Sequence, residues 1–237
     1  MKTKLILLIL FILLCDELQA QSFNTKLDNH QKGLPEMDFI IMPFDISYRV
    51  SLGTLKTDGT LEVKIPEFSD IQLPPNMNND NMLKFDDLIN LRCGNISDLN
   101  TSESLKGFKG GYFALWSKTK RNGWAGSVFA VSNKDLIPWL EDDAYMQPVL
   151  GSYFELIYVT EDAEIKATCG NTWDIANLTI HMDYEFDLSL KKGYNLIEYE
   201  ILDIFETNSQ DVTNKPNKII VKTPVDFSKI IWTAKYF

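Results

Sequence analysis

The densest acidic run in the chain is Glu141, Asp142 and Asp143, in the stretch WLEDDAYMQP. Hard carboxylate oxygens joined by backbone carbonyls are what calcium takes, so these three residues are the metal candidates. No spacing of acids around a central glycine accompanies them, so ligand chemistry rather than a motif carries that expectation, and no other cofactor is expected. Asp86-Asp87 and Glu161-Asp162 with Glu164 raise the different chemistry of paired-acid glycoside hydrolysis. That reaction needs two carboxyls converging across a cleft from separate elements. Neighbours on one strand or helix point apart, so each group reads first as a solvated acidic face.

The chain has two histidines, His30 and His181, as the candidate bases for acyl transfer. His30 falls in a polar stretch with nothing rigid to orient it. His181 lies in LTIHMDYEFDL, where Ile180, Met182, Tyr184 and Phe186 share the apolar face; it therefore stands with Asp183, Glu185 and Asp187 on the wet one. GFKGGY lacks the Lys-Ser/Thr ending and the helix of a phosphate loop. No catalytic residue is assigned, and the expectation is a protein that is not an enzyme.

Aromatic faces are the remaining chemistry. Sugar C–H faces stack on rings while nearby acids and amides bond the hydroxyls. Trp124, beside Arg121-Asn122-Gly123, and Trp139, beside Glu141-Asp142, fit a ligand surface best. The competing expectation is that they fill a β core.

The elements that must carry these residues are mostly strands. In RVSLGTLKTDGTLEVKIPEF, Tyr48, Val50 and Leu52 alternate with polar residues before Asp58-Gly59, and Leu61, Val63 and Ile65 alternate after it. A period of two around Asp-Gly is an antiparallel hairpin, and Pro66 ends it. Strands are predicted at 39–42, 111–117, 126–131, 153–160, 164–169, 179–188, 194–202, 218–222 and 231–237. Met82, Phe85, Leu88 and Ile89 predict one short amphipathic helix over about 82–91. The fold class is mainly β, an antiparallel sandwich or barrel-like domain.

The chain opens MKTKLILLILFILLCDELQAQS, with Lys2 and Lys4 before an apolar run from Leu5 to Leu14. That pattern is an export signal over residues 1–20, with cleavage after Ala20. Cys15 offers the rival of a lipid anchor, but Leu14 is larger than the residue that route wants before the cysteine. Residues 21–38 then read as a flexible leader and 39–237 as one domain, with a subdivision conceivable near 105–111 in LKGFKGG. The mature chain holds no further transmembrane segment. Its place is the periplasm, the cell surface or the exterior. The net charge of −10 repels phosphate backbones, so nucleic acid is a poor partner. A glycan or a protein partner remains, the latter by strand addition along KIIVKT or IIWTAKYF.

An exported chain with Cys93 and Cys169 outside its signal suggests one disulfide. Two buried thiols are the alternative. A bridge closing so long a loop stabilises by roughly 4 kcal/mol.

Taken together, GTLKTDGTLEVKIPE, RCGN, GGYFALWSK, IKATCGN and YEFDLSLKKGYNLIEYE resemble a loosely defined group of uncharacterised exported bacterial proteins often described as lipoproteins. Such proteins tend to carry a DLxLxxGWN turn, and Tyr194 stands here in place of its tryptophan. The resemblance implies a β architecture, and no activity, cofactor or catalytic residue comes with it.

Overall fold

The computed structural model describes residues 22–67, 70, 73, 81–89, 105–119, 123–175, 178–207 and 213–237. The protein is mainly β. Fourteen strands are described: β1 (Ser22–Lys26), β2 (Met37–Ile41), β3 (Val50–Leu55), β4 (Thr60–Lys64), β5 (Leu83–Lys84), β6 (Lys106–Lys109), β7 (Phe113–Trp116), β8 (Trp124–Val131), β9 (Gly151–Val159), β10 (Ala163–Ile175), β11 (Leu178–Leu190), β12 (Gly193–Phe205), β13 (Lys215–Lys222) and β14 (Ile231–Tyr236). Two short helices, α1 (Phe85–Leu88) and α2 (Ile137–Glu141), accompany them.

All these strands join one sheet, whose path runs β1-β4-β3-β2-β7-β8-β9-β12-β13-β11-β10. Strand β14 is added beside β8, and β6 beside β9 with β5 on its far side. Every ladder is antiparallel except β11 with β13. The sheet is not closed into a barrel. A single parallel bridge, Leu27 to Trp232, brings the β1 end of the path against β14.

Two hydrophobic cores lie on opposite faces of this sheet. On β9, Phe154, Leu156 and Tyr158 enter the first core, which gathers β2, β3, β4, β7, β8 and β14 around Trp232. Ile157 and Val159 enter the second, which lies under β11, β12, β13 and α1. Strand β9 is thus buried on both faces along Leu156–Val159, which is why LIYV reads as a continuous apolar run. Strand β11 is buried on one face and alternates without a break from Ile180 to Leu190.

The hairpin forms as its alternation requires, with Leu55 opposite Leu61 and Gly53 opposite Val63. Asp58 receives the Thr60 N–H at 2.9 Å and the Lys26 ammonium at 3.0 Å. These bonds hold its carboxyl well below the usual range, the Thr60 backbone first.

The structure refines four readings of the sequence. Ser22–Lys26, expected in a flexible leader, pairs with β4 from Ser22↔Lys64 to Lys26↔Thr60. The helix expected over 82–91 is confined to Phe85–Leu88 within the described residues, because Leu83 and Lys84 pair with Gly107 and Lys106 instead. KIIVKT is no edge: β13 lies between β12 and β11. Lys106–Lys109, in the glycine-rich stretch, is strand β6 on β9.

Candidate functional site

Strands β8 and β9 meet at one bridge, Val131 to Tyr153, and then diverge. Their facing edges are taken by different neighbours: β7 pairs with β8 from Phe113↔Val128 to Trp116↔Trp124, and β6 pairs with β9 from Gly107↔Val159 to Lys109↔Ile157. The chain passes between these edges at Gly110-Gly111, where the Gly110 N–H donates to the Leu156 carbonyl at 2.6 Å. The wedge left open is a cleft of about 530 Å³. That volume suits a small ligand.

Seven aromatic residues line it: Tyr112, Trp124, Phe129, Tyr153 and Phe237, with Phe113 and Phe154 reaching it from the first core. Tyr112 and Phe237 are exposed at 74% and 63%, an unusual degree for large rings gathered at one cleft. Trp124 is held by its indole N–H, which donates to the Gly126 carbonyl at 3.1 Å, and by Phe237 edge-on at 5.3 Å. Tyr153 stacks on its cross-strand partner Tyr199 at 4.8 Å with the rings almost parallel. Trp139 meets Tyr153 edge-on at 6.0 Å and packs against the second core. Of the two tryptophans singled out by sequence, Trp124 therefore lines the cleft and Trp139 packs against one of its wall residues.

The charged lining is Lys109, Glu141 and Glu155. Glu141 is neutralised by Lys235 of β14, whose ammonium lies 2.5 Å from its carboxylate. Glu155 is different. It shares its face of β9 with Ile157 and Val159 and is half-buried. Its side chain makes no hydrogen bond or ion pair among the described residues. Burial pushes its carboxyl above the usual value, and the Lys109 charge draws it back only in part. Burial, and then the nearby Glu155 charge, push the Tyr153 and Tyr199 hydroxyls well above their ordinary range.

A carboxyl with a raised folded-state pKa adds stability below its unfolded pKa and loses it as pH rises through the folded value. Glu155→Gln is therefore expected to raise the thermal midpoint at pH 7 by roughly 2 °C or more. Near pH 3 the two proteins should melt together. Paired scans at both pH values check this, and an advantage that persists in acid would place its origin elsewhere.

The calcium expectation is not carried by the geometry. Glu141 is engaged by Lys235, the Asp142 carbonyl accepts from Tyr145 and Met146, and the Asp143 carbonyl accepts from Lys215. No group of three His, Cys, Asp or Glu side chains among the described residues is placed to hold a metal ion. His181 is exposed and bonded to Thr172 at 2.9 Å, while His30 lies on the hairpin turn with Nε2 at 3.0 Å from the Thr57 carbonyl. Cys169 is half-buried on β10 and has a bonded partner; Cys93 and Cys15 lie outside the described residues.

Sequence reasoning missed Glu155, and its signal was present. A glutamate in step with Ile157 and Val159 is a charge on a buried face.

Comparison of the chain with protein-family models, curated proteins and solved structures finds no match.

Proposed function

We propose that the protein is an exported binding module, without enzymatic activity, that holds a glycan in the cleft between β8 and β9. One observation carries this reading. Tyr112, Trp124, Tyr153 and Phe237 converge on a cleft that also holds carboxylates, and rings with hydrogen-bonding acids between them are what a sugar's two kinds of surface require. Thermal shift against a panel of bacterial and host polysaccharides finds the ligand, and calorimetry measures it. Trp124→Ala is expected to weaken binding by about tenfold, the effect of roughly 1.4 kcal/mol at an aromatic anchor. Trp124→Phe should restore most of it. Full affinity in the alanine variant would remove the cleft from the binding site.

Export, cleavage after Ala20 and a Cys93–Cys169 disulfide belong to the same proposal. The support is the charged and apolar pattern of residues 1–20 and the pair of cysteines beyond it. Among the described residues no helix is long and apolar enough to cross a membrane. Intact-mass measurement of the secreted protein, with and without reduction before alkylation, is expected to give a chain beginning at Gln21 with no acyl group. Cys93 and Cys169 should alkylate only after reduction. An acylated Cys15 would instead assign a lipid anchor.

A further inference from the structure

We infer that the cleft selects an aminated sugar, a glycan unit carrying a free ammonium group that pairs with Glu155. This rests on the glycan reading of the cleft and names the ligand class within it.

Glu155 lines the cleft as a carboxylate with no hydrogen bond or ion pair among the described residues, on a strand whose neighbouring residues Ile157 and Val159 are fully buried. A half-buried carboxylate that no ion pair neutralises is incompletely solvated, and a ligand that brings the opposite charge offsets that cost on binding. The other carboxylate at the cleft does not compete, because Lys235 already holds Glu141. Lys109 shares the cleft but forms no ion pair with Glu155 among the described residues.

The rings around Glu155 add to the same preference. Tyr153 stands two residues away on the same strand face, and Trp124, Phe129 and Phe237 line the cleft with it. Aromatic faces attract a cation through their quadrupole and stack on the apolar face of a pyranose. A sugar with an ammonium group satisfies both surfaces at once. An N-acetylated sugar keeps the stacking but sets a neutral amide against Glu155, which leaves the carboxylate uncompensated. The net charge of −10 further favours approach of a cation.

The test is calorimetry with glucosamine oligosaccharides and with N-acetylglucosamine oligosaccharides of equal length, on the native protein and on Glu155→Gln, in 0.15 M salt. The native protein is expected to bind the aminated series at least tenfold more tightly. In Glu155→Gln that preference should fall below threefold, with the larger loss of affinity in the aminated series. Equal binding of both series by the native protein would overturn the inference and leave the glycan reading standing. A preference retained in Glu155→Gln would also overturn it, assigning the ammonium to surface acids. Binding of neither series, together with a flat polysaccharide panel, would remove both.

Discussion

Trp232→Ala is expected to lower the unfolding free energy by about 3–5 kcal/mol, the range for emptying a large aromatic site in a packed core. The indole is 1% exposed. Phe39 meets it edge-on at 5.7 Å, Phe113 edge-on at 5.3 Å and Phe23 at 6.1 Å, so its removal strips contacts from β1, β2 and β7 together. The same residue fastens the N-terminal strand: its carbonyl accepts from the Asp28 N–H at 2.8 Å, and Asn29 bonds both ways to the backbone of Ala234. A midpoint loss on the order of 10 °C should follow in a chain of this size. Trp232→Phe separates the two properties of the indole. Its Nε1 is buried without a hydrogen-bond partner among the described residues, so phenylalanine keeps most of the ring and discards an unsatisfied donor. The phenylalanine variant should lose less than half of what the alanine variant loses in denaturant titration. Equal losses would mean that ring size rather than buried area sets the stability of this core.

How much of this was legible in the sequence depended on whether the deciding contacts were local. The β3–β4 hairpin and the alternation of β11 follow from period and turn chemistry within twenty residues, and both form in register. Strand β1 is different. SFNTK carries one large apolar residue, and what makes it a strand is the edge of β4 some forty positions later, reached through pairs such as Lys26↔Thr60. The stretch LKGFKGG looked like a boundary because glycines punctuate loops. Here they permit contact: a Cβ on Gly107 would lie 1.9 Å from the Tyr158 carbonyl oxygen, so only glycine lets β6 approach β9. The cleft was half legible. Trp124 announced itself as a ring beside a turn, whereas Glu155 was hidden inside a strand whose neighbours were read as core. The cleft exists because two strands diverge, and a divergence of partners leaves no periodic trace.

Gly111 is the residue on which that divergence turns, and its replacement by alanine is expected to cost about 3 kcal/mol and to abolish ligand binding in the cleft. Two penalties combine. The backbone sits at φ +76°, in the left-handed region where a side chain costs roughly 1–3 kcal/mol. A Cβ there would also lie 2.2 Å from the carbonyl oxygen of Met42, a backbone atom next to Pro43 that cannot swing aside as a side-chain end would. Relief requires moving the passage from β6 to β7, and Tyr112 moves with it. Gly33 provides the comparison. Its φ of +87° is as demanding, yet a Cβ there meets nothing within 4 Å. Gly33→Ala should therefore cost about 1 kcal/mol, the conformational penalty alone, and leave ligand affinity unchanged. The difference between the two variants in denaturant titration isolates the contact with Met42. Equal costs would show that the passage is free to shift, and the cleft would then owe its shape to the rings around it rather than to the backbone that parts β8 from β9.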